Sequence, residues 1–133
     1  MIGILIVDDN VRLREAVRIE LEAQDDVCVV GEAGDGVAAV QLAQSLRPEV
    51  VLMDVNMGRL DGVAATRSIR TLLPDTVLVG MSCHSREMVE KAMLSAGADV
   101  FLPWWAKNGE LGVQFIRVNS QQQERLCALM SNS

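Results

Sequence analysis

The sequence predicts an α/β domain: a five-stranded parallel sheet with helices on both faces. Two observations predict it. Five short apolar runs rich in β-branched residues lie at Ile4–Val7, Val27–Val30, Val50–Met53, Val77–Met81 and Val100–Leu102. They are continuously apolar rather than alternating, as expected for strands covered on both faces. Between them lie amphipathic stretches with helical spacing, so strand and helix alternate along the chain.

Strand one, Ile4–Val7, ends at the pair Asp8-Asp9. Helix one follows, with Asn10 as its N-cap and Leu13, Val17 and Leu21 as its core stripe. Strand two, Val27–Val30, leads to Asp35, the N-cap of helix two, whose stripe is Val40, Ala43 and Leu46. Strand three runs into Asp54, and helix three carries Val63, Thr66 and Ile69 on one face. Strand four ends at Met81-Ser82. Ser85 is placed to cap helix four, with Met88, Val89, Ala92, Met93 and Ala96 facing inward. Opposite each stripe stand Arg, Glu or Gln, read as solvated faces. A fifth helix is expected from Asn108, with Leu111, Phe115 and Val118 in phase, although Gly112 weakens it by about 1 kcal/mol relative to Ala. The division expected is a single domain over 1–119 and a C-terminal helix or tail over 120–133.

Composition narrows the function. A chain of 133 residues can bury a real core. Its net charge of −6 and pI near 4.7 argue against direct nucleic-acid binding, because phosphates demand a basic surface. Cys28, Cys83 and Cys127 show no CxxC spacing, which points to reduced thiols and a cytoplasmic setting. His84 is the sole histidine. The apolar start MIGILIV is broken at once by two aspartates, so neither a signal peptide nor a membrane span is expected.

In parallel sheets of this kind, function gathers at the carboxyl ends of the strands. There the sequence places Asp8, Asp9, Asp54 and Ser82. Three carboxylates in one place repel and raise one another's pKa unless a cation joins them. Oxygen ligands without His or Cys suit a hard ion, Mg²⁺ or Ca²⁺. Capping is the simpler reading for any one aspartate, but it is strained for all three at strand ends beside a serine.

The ordered set LIVDDN, VVLMDVNM, LDG, GMS and AGADVFL resembles the receiver domain of bacterial two-component response regulators, over about residues 2–118. The stretch VVGEAGDGVAAVQLAQSLRPEVVLMDVNM is especially similar to receivers of LuxR/NarL-type transcriptional regulators. The resemblance implies a flavodoxin-like, CheY-like (βα)5 fold. It implies Asp54 as phosphoacceptor, with Mg²⁺ held by Asp8, Asp9, Asp54 and the backbone carbonyl of Asn56. It makes Ser82 the hydroxyl that follows the phosphoryl group and Phe101 the aromatic that turns with it. It implies a sensor histidine kinase as donor, an output domain or downstream protein that controls transcription, and a homodimer as a further partner.

Two positions depart from the family pattern. Trp104 stands where a strand-five lysine is usual, with Trp105 at the following proline, and Gly58 replaces a proline after Met57. Three aspartates against one Mg²⁺ then leave the site net negative. Lys107 is the candidate substitute cation; Arg59 and Arg86 are weaker ones. The alternative reading is an interaction module that works without phosphorylation through the Trp pair. A haloacid-type phosphatase is disfavoured, since its acid aspartate two residues after the nucleophile is here Asn56. The chain is therefore expected not to be an enzyme in its own right.

Overall fold

The computed structural model describes residues 1–55, 61–82 and 87–103. Within them the elements are β1 (Ile2–Val7), α1 (Val11–Glu22), β2 (Val27–Ala33), α2 (Gly36–Leu46), β3 (Val50–Asp54), α3 (Asp61–Leu72), β4 (Val77–Ser82), α4 (Glu87–Ala96) and β5 (Val100–Pro103). The strands form one parallel sheet in the order β2-β1-β3-β4-β5. The chain reverses its direction of travel across the sheet between β1 and β3. That switch point opens a crevice at the carboxyl ends of these two strands.

Alternate residues along each strand enter two different cores. Ile4, Ile6, Val50, Leu52, Val77, Val79 and Met81 pack with Val17 and Leu21 of α1. Leu5, Val7, Val51, Met53, Leu78 and Phe101 pack on the other face, with Ala39 and Ala43 of α2, Val63 and Ile69 of α3, and Met93 of α4. Burial on both faces explains why the runs are apolar throughout.

The caps fall as expected. The Asn10 side chain accepts from the Arg12 and Leu13 N–H groups, and that of Asp35 from the Ala38 N–H at 2.8 Å. Ser85 and the fifth helix lie outside the described residues, as do residues 120–133.

Three expectations are corrected. Leu46 is 40% exposed and Met88 84% exposed, so neither belongs to a core stripe. In α2 the buried residues are Ala39 and Ala43. Small residues there let the helix lie close to the sheet, and Leu46 is left at the rim. The strands are also longer than the apolar runs. β2 continues through Gly31 and Glu32 to Ala33, because it is an edge strand and needs apolar cover on fewer positions. It carries a bulge: Ile4 pairs with Val29 and Leu5 with Gly31, so Val30 is passed over. The bulge interrupts the open edge against further strand addition.

Candidate functional site: an acidic cluster at the strand ends

The site is built by the ends of β1 and β3. The Asp8 N–H donates to the Ala33 carbonyl of β2 at 3.0 Å, so the chain is still tied to the sheet at the first aspartate. The Asn10 N–H then turns back to Asp8 Oδ1 at 2.8 Å. This turn starts α1 and points consecutive carboxylates into the crevice. Asp54 is the last residue of β3, and the Val55 N–H donates to the Met81 carbonyl at 3.0 Å, which holds the chain just past it. Gly62 in the first turn of α3 presses on this point. A Cβ there would stand 2.6 Å from Val55 Cγ1 and 3.4 Å from the Asp54 carbonyl oxygen. The glycine of LDG therefore serves close approach of α3 to the end of β3.

One carboxylate oxygen from each of Asp8, Asp9 and Asp54 lies within 4.8 Å of the other two. Asp8 is 3% exposed, Asp54 half-buried and Asp9 exposed. Burial holds the Asp8 carboxyl above its ordinary range, and the neighbouring Asp9 charge adds to the rise. The Asn10 N–H, a hydrogen bond with the Asp54 side chain, and the Arg14 charge act against it. Three carboxylates so close together repel one another, and a divalent cation among them would offset that repulsion. Among the described residues the cluster offers three converging oxygens of graded burial and no nitrogen or sulfur donor, a set that fits Mg²⁺ or Ca²⁺.

Among the residues expected at the site, the fold brings Asp8, Asp9 and Asp54 together. Ser82 closes β4, one register position beyond the Asp54–Met81 pair and opposite Pro103. Phe101 is 8% exposed and pairs in register with Gly80. A Cβ on Gly80 would lie 2.8 Å from the Phe101 ring and 3.0 Å from Met93 Cε, so the ring occupies the space a side chain would fill. Asn56, Gly58, Arg59, Cys83, His84, Arg86, Trp104, Trp105 and Lys107 lie outside the described residues.

One contributor was not legible in sequence. Arg14, on the face of α1 read as solvated, donates from its NH1 to the Asp8 carbonyl at 2.7 Å and from Nε to Glu32 at 3.1 Å. Its one sequence signal is an arginine one helical turn after the Asn10 cap. The described residues also line an open groove of about 580 Å³ between α2 and α3; none of its lining residues belongs to the acidic cluster.

No helix among the described residues is long and apolar enough to cross a membrane.

Known proteins agree with this geometry. The response regulator receiver domain family matches residues 4–112. The nitrate/nitrite response regulator protein NarL of Escherichia coli is 35% identical over 99 residues, 74% of this chain and 46% of its own length. A protein-glutamate methylesterase/protein-glutamine glutaminase of Alkalilimnicola ehrlichii is 38% identical over 128 residues, 94% of this chain but 32% of that protein. The chain thus spans less than half the length of these curated relatives. Among solved structures, the response regulator domain of Thermotoga maritima CheB superposes with a TM-score of 0.82 at 27% identity, covering 91% of this chain and 97% of that one. The receiver domain of NarL from Mycobacterium tuberculosis gives 0.70 at 34% identity, covering 77% and 82%. With its sheet order, its acidic strand ends and a family match over most of its length, the chain belongs to the response regulator receiver domain family.

Proposed function

We propose that this chain is a phosphoryl-accepting switch of a two-component system, with Asp54 as the acceptor. The observation that carries the reading is the convergence of Asp8, Asp9 and Asp54 within 4.8 Å at the switch point of the sheet. An Asp54 carboxylate oxygen attacks the phosphorus of a phosphohistidine on a sensor histidine kinase. The P–O bond forms, the P–N bond breaks, and the imidazole leaves. The product is an aspartyl phosphate.

Asp8, Asp9 and Asp54 would hold Mg²⁺, with the backbone carbonyl of Asn56 as a further ligand. Bound there, the ion neutralises charge on the transferring phosphoryl group. Asp8 and Asp9 keep two carboxylates beside the acceptor for that purpose. Ser82 is the hydroxyl assigned to the phosphoryl oxygens, and Phe101, packed over Gly80, is the aromatic assigned to relay the change. Relatives named as transcriptional regulators support an output in transcription, carried by an output domain or a downstream protein in the cytoplasm. The receiver is assigned to 1–119 and an extension to 120–133. The chain acts as acceptor rather than as a turnover enzyme and does not itself read nucleic acid.

A second reading is favoured by Trp104-Trp105, which replace the family's lysine and proline. In it the domain keeps its fold and acidic pocket but binds a partner or a second copy without phosphorylation. Incubation with acetyl phosphate and Mg²⁺, followed by intact-mass measurement, separates the two. The expected outcome is one added phosphoryl group, absent in Asp54→Asn. No added mass in the wild-type chain would overturn the switch reading and leave the interaction module.

A further inference from the structure

We propose that Arg14 is a positioning residue for the acidic site. Anchored by Glu32, its guanidinium holds the main chain at Asp8 so that the Asp8-Asp9 carboxylates face Asp54. The inference rests on the reading of this cluster as the divalent-cation site.

The geometry has three parts. Arg14 lies in the first turn of α1, and its N–H donates to the Asn10 carbonyl at 3.0 Å. Its NH1 reaches back to the Asp8 carbonyl at 2.7 Å, against the direction of the chain. Its Nε is fixed at 3.1 Å by Glu32 on β2, an edge strand held to β1 by the sheet. The Arg14 side chain is 19% exposed and that of Glu32 34%, so the guanidinium is largely covered where it meets the Asp8 carbonyl while its anchor is reached by solvent. Arg18 Nε lies 3.6 Å from the other Glu32 oxygen, an ion pair without a hydrogen bond. Residue 34 is glycine, and a Cβ there would lie 3.5 Å from Arg14 NH1, in contact with the guanidinium's path. One side chain therefore joins the end of β1, the start of α1 and the edge of β2 around a single carbonyl. That carbonyl belongs to the residue that begins the Asp8-Asp9 pair.

Two roles for Arg14 predict opposite signs. As a bare positive charge near the cluster, the guanidinium repels an incoming cation, and its removal tightens Mg²⁺ binding. As a clamp, it keeps two carboxylates aimed, and its removal loosens Mg²⁺ binding. Groups that orient metal ligands typically contribute about tenfold to a hundredfold in affinity.

The experiment is Mg²⁺ titration by calorimetry on the full chain at neutral pH and fixed ionic strength. The variants are Arg14→Gln, Arg14→Lys and Arg18→Gln, each with its melting temperature. Asp9→Asn reports on the metal site itself. The inference expects Arg14→Gln to weaken binding by about tenfold or more. It expects Arg14→Lys to weaken it less, because one ammonium keeps the charge but cannot hold the Asp8 carbonyl and Glu32 with a fixed fork. Arg18→Gln, which leaves the Asp8 carbonyl contact in place, should retain wild-type affinity or bind slightly tighter. Should Arg14→Gln fail to fold, Arg14→Lys still decides: a charge role leaves its affinity unchanged, whereas the clamp lowers it. Unchanged or tighter binding in the Arg14 variants, with wild type and Asp9→Asn differing, overturns the clamp alone. A wild-type chain that binds no Mg²⁺, or binds it as Asp9→Asn does, overturns the metal-site reading and the clamp with it.

Discussion

Arg70 NH2 lies 2.7 Å from Asp99 Oδ2, and the same carboxylate oxygen accepts the Leu78 N–H at 2.8 Å. Arg70 also donates from Nε to the Gly97 carbonyl at 2.9 Å, and from NH1 to the carbonyls of Pro74 and Thr76. Its stem packs where a Cβ on Gly97 would be, 2.7 Å from Arg70 Cγ, and Gly97 has φ +118°. One arginine thus closes the end of the sheet opposite the acidic site. It ties α3 to the turns that lead into β4 and β5.

Arg70→Ala should therefore destabilise the fold without changing the acidic cluster. It removes a partly exposed ion pair, of small value by itself. It also strips charged donors from three carbonyls and from Asp99, which makes the expected cost about 2 kcal/mol. Urea unfolding should show a lower midpoint, while Mg²⁺ affinity stays within about twofold of wild type, because the site lies at the other end of the sheet. A large loss of Mg²⁺ affinity in a folded variant would show that the two ends are coupled.

Asp8 makes the metal-free chain sensitive to pH. An unfolded aspartate titrates near 3.8, and burial raises the folded value above it. The stability this group contributes is fully present below 3.8 and is lost as pH rises through the folded value. Above its folded value the Asp8 carboxylate is thus a destabilising charge, which a bound Mg²⁺ would relieve. Asp8→Asn should raise the melting temperature of the metal-free chain at neutral pH and remove the further rise caused by Mg²⁺. Calorimetric scans with and without Mg²⁺ at two pH values check both parts. A lower melting temperature for metal-free Asp8→Asn would show that the carboxylate's hydrogen bonds outweigh its burial.

Gly80 and Phe101 form a coupled pair. An alanine at position 80 places a Cβ 2.8 Å from the Phe101 ring, inside van der Waals contact. Overpacking of this kind costs about 1–3 kcal/mol. Phe101→Leu alone leaves a void, but together with Gly80→Ala it relieves the clash. The double variant should be more stable than the sum of the single changes predicts, by about 1 kcal/mol. Additive effects in urea unfolding would mean that Phe101 moves aside freely.

Trp104 lies outside the described residues, yet charge balance gives it a test. Without the usual lysine, a phosphoryl group at Asp54 lacks one charge-assisted contact, of about 1.5–3 kcal/mol. Wild type should bind beryllofluoride poorly even with ample Mg²⁺, and Trp104→Lys should improve affinity by about tenfold to a hundredfold. Tight binding by wild type with no gain in the variant would assign the role to another cation, with Lys107 the first to test.

The strands, the caps at Asn10 and Asp35, and the acidic strand ends were legible in the amino-acid sequence because each rests on local chemistry. An apolar run longer than its period allows must be covered on both sides. An Asx residue before a helical stripe satisfies free N–H groups, and aspartates after buried strands fall at the rim. Periodicity names a face, however, and not its depth. Leu46 and Met88 keep the phase of a core stripe and still face solvent, because packing ends before it reaches them. The roles of Arg14 and Arg70 depend on long-range pairing. Glu32 lies 18 residues beyond Arg14, and Asp99 lies 29 beyond Arg70. In sequence both arginines look like solvated charges. Only the parallel sheet, which brings the edge of β2 beside α1 and the start of β5 beside α3, turns them into fixed donors. Closing such contacts costs chain entropy that no local pattern records, and the assembled core supplies it.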